Sequence, residues 1–302
     1  MTELETAGRP APGGRTAAGI AYDDAGSGEP IALIHAGVAD RRMWDPLVAD
    51  LSGRHRLIRH DARGFGETLP PSGPWSHHTD FLSVLDEFLV GRTHVIGASM
   101  GAGIAVEAAL ARPGAVASLV LAGPGGALFG DAPAELRPIW AAEIDALDRG
   151  DLDAAVEVNL RAWVDGPLRA AGDVDPAVRA FVGRMQRDAF ELPEWDPETA
   201  PEHELSPAAV GRLGELACPV LVLVGDGDQP AVRHAAERLA GAVARVRLVV
   251  WPGVGHLVLH AGAHRDYPLI TAAFIVISGG VVLFSVLADA ATAWLDPRVR
   301  LA

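Results

Sequence analysis

Thr93-His94-Val95-Ile96-Gly97-Ala98-Ser99-Met100-Gly101-Ala102-Gly103 is the stretch on which the reading of this chain turns. It begins as a short apolar strand, bends abruptly, and runs on as an alanine-rich helix through Glu107 toward Arg112. Its centre, Gly97-Ala98-Ser99-Met100-Gly101, has G-x-S-x-G spacing. The reason for that spacing is steric. A serine held on a tight strand-to-helix turn takes a strained backbone conformation, and the residues two before and two after it must be small. The turn lifts the hydroxyl above the sheet edge. It also aims the helix N-terminus, with the amide of Met100, at the space where an oxyanion would form. Ser99 is therefore the candidate nucleophile. Five residues alone also occur in any glycine-rich strand–helix turn, so the weight rests on what surrounds them.

Outward from this point the pattern alternates. Upstream, 20–22 reads as a strand entering a turn at 23–28, and 31–34 as a short buried strand ending in His35-Ala36-Gly37. Residues 43–51 read as a helix, and 56–59 as a strand closing in Asp61-Ala62-Arg63-Gly64-Phe65-Gly66. A helix is expected over 80–90, with Phe81, Val84, Leu85, Phe88 and Leu89 on one face. Downstream, 116–122 is a strand. Strand alternating with helix implies a mostly parallel, doubly wound sheet covered on both faces.

Over 125–215 strand-like runs vanish. Helices are expected near 134–149, 152–164 and 176–190, followed by Pro193, Pro197, Pro201 and Pro207. This reads as a helical cap inserted into a core of 19–124 and 216–260. The sheet resumes with a strand at 220–224, a helix at 231–239 and a strand at 245–251, then Gly253-Val254-Gly255-His256. Residues 1–18, rich in Gly and Pro, are expected to be a disordered leader.

Composition sets limits. The chain has 302 residues, 49% apolar, enough for one large core with an insert. The net charge of −14 argues against a nucleic-acid partner. All 25 basic residues are arginine, which reads as a compositional bias of the genome rather than a functional signal. The single cysteine, Cys218, lies in an apolar run and is expected to be a buried thiol. The N-terminus lacks the basic-then-apolar order of a signal peptide, so cytoplasmic residence is the default expectation. No metal-ligand cluster or phosphate-binding glycine loop is visible, and no cofactor is expected.

Together these pieces resemble the α/β-hydrolase family over roughly residues 20–258. His35-Ala36-Gly37 is similar to the family's oxyanion loop, with Ala36 where glycine is usual. Asp61-Ala62-Arg63-Gly64-Phe65-Gly66 matches the D-x-R-G-x-G of many members. Gly225-Asp226-Gly227-Asp228 follows the strand that carries the family's acid, and Gly255-His256 matches its histidine loop. The order Ser, Asp, His is also the family's.

The resemblance implies an α/β-hydrolase fold and acyl transfer to a nucleophile. Ser99 would attack, His256 would move its proton, Asp228 would hold the imidazole, and the amides of Gly37 and Met100 would bind the oxyanion. Spacing favours Asp228 over Asp226 as the acid, and either could be a turn aspartate. Asp61 and Arg63 read as a structural turn and ion pair. His35 reads as a shaper of the oxyanion loop, and His77 and His78 as solvent-facing loop residues. Trp140, Trp163, Trp195, Met185 and Phe190 either line a pocket or form the core of the cap. The expected substrate is a small ester or lactone. The alternatives are a ligand-binding protein without turnover, or a membrane-anchored fusion associated with a peptide transporter.

That last alternative comes from the C-terminus. Residues 267–288 contain no Asp, Glu, Lys, Arg or His and are apolar all round. As a helix they would span about 33 Å, enough for a bilayer core. A closing helix packed on a sheet would instead show a polar face. With Leu295-Asp296-Pro297-Arg298-Val299-Arg300, residues 264–302 resemble the last transmembrane helix and tail of dipeptide/oligopeptide ABC-transporter permeases. The expectation is an atypical apolar C-terminal helix, able to span a membrane, and membrane contact through 267–288.

Overall fold

The computed structural model describes residues 13–251. The expectations for residues 1–12, for His256 and for the apolar C-terminal segment lie outside the described residues.

Eight strands form one sheet in the order β1-β2-β4-β3-β5-β6-β7-β8. They are β1 (Gly14–Arg15), β2 (Ala21–Ala25), β3 (Pro30–Ile34), β4 (Arg56–His60), β5 (Thr93–Ala98), β6 (Val116–Ala122), β7 (Val220–Gly225) and β8 (Val246–Trp251). Pairing from β4 through β8 is parallel, while β1 and β2 are antiparallel additions at one edge. The inner strands are near-continuous apolar runs because both faces are covered. Their residues divide with period two. Ile34, Val95, Leu119, Leu121 and Val222 pack in one cluster with Phe81, Leu85 and Ile104. Leu33, Ile96, Val120 and Leu221 join Trp44 and Leu47 in a second.

The helices are α1 (Asp45–Leu51), α2 (His77–Glu87), α3 (Met100–Ala111), α4 (Arg137–Asp148), α5 (Leu152–Asn159), α6 (Pro176–Phe190) and α7 (Pro230–Ala242). Their starts follow local chemistry. Ser76 caps α2 by accepting from the Thr79 amide, Asp151 caps α5, and Asp175 caps α6 with Pro176 just inside. Between β6 and β7 the described residues form α4, α5 and α6 and contribute no strand to the sheet. The second cluster runs on into this segment through Val156, Val178 and Met185, so α5 and α6 share a core with the sheet.

Several expectations are corrected. Strand β2 runs to Ala25 instead of turning at Asp23, because Asp23 accepts from Arg41 and Arg59 and Asp24 from Arg56. Gly14 and Arg15, expected in the leader, form a strand against β2. Helix α2 starts at His77, three residues earlier than the apolar stripe suggested, because Ser76 supplies the cap. Cys218 is buried, as expected. No helix among the described residues is long and apolar enough to cross a membrane.

Candidate active site

Ser99 sits at the junction of β5 and α3 with φ 51° and ψ −113°. Among the described residues only Leu89 and Ser99 carry a positive φ without being glycine. Such a conformation costs on the order of 1–3 kcal/mol and persists only where the surroundings enforce it. Here they do. The Ser99 amide donates to the Ala122 carbonyl at 2.9 Å, and the Ser99 carbonyl accepts from Ala102 and Gly125 at 2.9 and 3.1 Å. The flanking glycines are forced by contact. A Cβ at Gly97 would lie 2.3 Å from the Gly101 carbonyl oxygen, and one at Gly101 would lie 2.4 Å from that of Ile34.

The loop after β3 lies beside this corner. A Cβ on Gly37 would stand 3.6 Å from both Cβ and Sδ of Met100. Met100 opens α3, so its amide has no intrahelical acceptor. The loop is held by His35. The Ala62 amide donates to His35 Nε2 at 2.9 Å, which leaves the proton on Nδ1 to be donated to the Ala36 carbonyl at 2.9 Å. Both ring nitrogens are thus occupied, and His35 is a structural imidazole, as the sequence suggested. Ala36 is tolerated in place of glycine because it is not at positive φ.

The loop that carries Asp226 and Asp228 follows β7. Asp226 is exposed, while Asp228 is half-buried. Asp228 Oδ2 accepts from the Gly225 amide at 2.8 Å. Burial raises the Asp228 pKa from its ordinary value; the Gly225 amide, Arg169 and Arg233 pull the other way. A cavity of about 130 Å³ adjoins it, lined by Trp163, Leu168, Arg169, Asp226, Asp228 and Gln229.

Topology gathers these parts at one edge. Strands β3, β5, β6, β7 and β8 are mutually parallel, so Gly37, Ser99 and Asp228 all follow the carboxyl ends of their strands. Strand β6 separates β5 from β7, which sets those two about 10 Å apart. His256 comes five residues after the end of β8, the neighbour of β7, and lies outside the described residues.

The remaining sequence candidates divide as follows. Asp61 is buried; it accepts from the Arg41 and Glu67 amides at 2.8 Å and pairs with the Arg41 guanidinium. Arg63 pairs with Asp80 at 2.7 Å and donates to the Leu69 and Ala18 carbonyls. Both are structural. His77 and His78, expected in a solvent-facing loop, instead form the first turn of α2. His78 is buried with Nδ1 3.7 Å from Glu107, and burial takes the His77 pKa down to about 4. Met185 and Phe190 belong to the second core, Trp163 lines the cavity, and Trp195 packs edge-on against Trp75 at 5.9 Å.

One element escaped the sequence reading. Gly125, after β6, approaches Ser99 so closely that a Cβ there would lie 3.2 Å from Oγ. The cluster Gly123-Pro124-Gly125-Gly126 was the available signal. Among the described residues no group of three or more His, Cys, Asp or Glu side chains is placed to hold a metal.

Comparison with known proteins fits this geometry. The chain is 34% identical over 247 residues to a putative non-heme bromoperoxidase of Mycobacterium tuberculosis, covering 79% of this chain and 90% of that one. The fold is similar to that of an enol-lactonase from Burkholderia xenovorans, with TM-score 0.64, 20% identity, and coverage of 87% and 98%. A partial similarity, 32% identity over 126 residues, links the chain to a probable peptide ABC transporter permease of Sinorhizobium fredii; it covers 40% of this chain and 38% of the permease. The sequence profile of the Alpha/beta hydrolase family matches residues 31–267. With that match over most of its length, and the parallel sheet and strained serine corner beneath it, the chain belongs to the alpha/beta hydrolase family and is a hydrolase of that type.

Proposed function

We propose that this protein is a serine hydrolase that cleaves a small ester or lactone through an acyl-enzyme. The observation that carries the reading is the strained Ser99 at the carboxyl end of β5, with the Gly37 loop close to Met100 at the start of α3. Ser99 Oγ attacks the acyl carbon as His256 takes its proton. The Gly37 and Met100 amides receive the developing oxyanion, each such donor being worth roughly 3–4 kcal/mol. Collapse expels the alkoxide, which takes the proton from His256. Water, deprotonated by the same imidazole, then releases the acid. Asp228 holds the imidazole tautomer and supports its charged form. Its burial favours it over exposed Asp226. The helical segment 125–215 acts as the cap, with Trp163 near the acid loop.

The test is labelling of the full chain by a fluorophosphonate, together with hydrolysis of a short-chain p-nitrophenyl ester and a small lactone. Both signals are expected to vanish in Ser99→Ala. Labelling that persists unchanged in that variant sinks the reading.

A second reading adds to the first. The charge-free stretch 267–288 and the partial similarity to a peptide-transporter permease support membrane attachment of the hydrolase through its C-terminal segment. Fractionation with and without residues 265–302 decides it. A full-length chain found wholly in the soluble fraction counts against attachment.

A further inference from the structure

Gln229 stands at the N-cap of α7, with φ −50° and ψ 140°, where Ser, Thr, Asp or Asn is favoured. Its side chain does not cap the helix. Instead Nε2 reaches across 67 positions of sequence and donates to the Ala162 carbonyl at 2.9 Å. A locally unfavourable residue whose side chain is committed elsewhere marks a constraint beyond helix stability.

The acceptor is not on an ordinary helix. Ala162 lies in the π-helical turn Leu160–Asp165 that continues α5, a form common at functional sites. That turn is held firmly. Asp165 is buried and pairs with Arg179 of α6 at 3.0 Å, and Arg179 pairs in turn with Glu157 of α5 at 2.9 Å. A second close approach follows at once: a Cβ on Gly166 would stand 3.3 Å from the Gly227 carbonyl oxygen. Arg169, anchored on the Asp165 and Val164 carbonyls, lines the same cavity as Asp228 and favours its charge. The loop 226–229 is therefore gripped from two sides. Its own strand holds Asp228 through the Gly225 amide, and the helical segment holds its neighbours.

We infer that Gln229 is a positioning residue: it ties the Asp228 loop to the π-turn, so that the seating of the helical segment and the alignment of the acid are one event. The inference rests on the reading of Asp228 as the acid. It gives the helical segment a part in the rate, besides its part in forming the pocket.

The test uses the full chain and two variants. Gln229→Met keeps the length and removes the donor. Gln229→Ser removes the reach but supplies a better helix cap, so a merely structural role predicts equal or higher Tm and unchanged turnover. The expected result is a fall in kcat of about tenfold in both, as for a sub-ångström misplacement of catalytic groups. KM for a short ester should change by less than about twofold, since binding is not the step affected. The acid limb of the kcat/KM pH profile should move to lower pH, because a misaligned carboxylate supports the imidazolium less. Ser99→Ala and Asp228→Asn are run in the same assay. If they abolish turnover while Gln229→Ser retains wild-type kcat and pH limb, the coupling is overturned and the active-site reading stands. A kcat loss that tracks Tm in both variants with no movement of the limb overturns it too. If Ser99→Ala retains activity, the site reading falls and takes the coupling with it.

Discussion

Gly101 and Ile34 meet backbone to backbone: a Cβ on Gly101 would lie 2.4 Å from the Ile34 carbonyl oxygen and 2.6 Å from that of His35. This contact lets α3 start directly over the end of β3 and brings the Met100 amide to the loop that carries Gly37. Gly101→Ala must push the two apart. Overpacking of this kind costs about 2 kcal/mol, or roughly 3 °C of Tm at this size. Activity should fall with it. Gly53→Ala, with nothing within 4 Å of the added carbon, is the control and should leave Tm nearly unchanged. Thermal denaturation of the two variants side by side checks the claim, and equal Tm values would refute it.

The strain at Ser99 can be measured separately from its chemistry. Glycine accepts φ 51° without a Cβ penalty, whereas alanine does not. Ser99→Gly and Ser99→Ala should both be inactive. Ser99→Gly should nonetheless be the more stable by about 1 kcal/mol, the strain exceeding glycine's extra unfolded-state entropy. Urea unfolding of both variants gives the difference directly.

Asp228 and Asp226 are two residues apart and differ in burial. Asp228→Asn should cut kcat on the order of a thousandfold or more, since the neutral amide neither fixes the tautomer nor supports the imidazolium. Asp226→Asn should cost less than about threefold, as an exposed loop charge does. Steady-state hydrolysis of one short ester by both variants is sufficient. The reverse ranking would move the acid to Asp226.

His60 is buried and stacked on Phe81 at 5.6 Å, and burial holds its pKa down to about 3. Its unfolded value is near 6.5. The unfolded chain therefore binds a proton that the folded one refuses. The associated stability is fully present above about pH 6.5 and is lost as pH falls toward 3, at ~1.4 kcal/mol per unit. Buried Asp61 and Asp80, together with exposed Glu202, have raised pKa values and act with the opposite sign, so the net slope alone is not diagnostic. The difference from His60→Phe is diagnostic. Between pH 7 and pH 4 the wild type should lose more unfolding free energy than the variant, by urea denaturation at each pH. Parallel losses would show that His60 is protonated without cost.

Much of the site was legible because it is encoded in short-range sterics. The glycines around Ser99 are dictated by contacts within one strand–turn–helix and with the next strand. The apolar runs of β3, β5, β6 and β7 report burial on both faces. The first turn of α2 was misread because its two histidines and threonine looked polar, while its cap, Ser76, outweighed them. Asp23 and Asp24 looked like turn residues because their arginine partners lie 18 to 36 positions away.

What the sequence determined by itself is the local part: the strained serine corner, the alternation that makes a parallel sheet, and the helical insert between β6 and β7. Each follows from sterics or periodicity within a few neighbouring residues. Only the tertiary structure decided the order of the strands, the approach of Gly125 to Ser99, the burial of His60 and His78, and the bond from Gln229 to Ala162. Those depend on partners tens of residues apart, whose meeting is set by how the sheet and its insert pack.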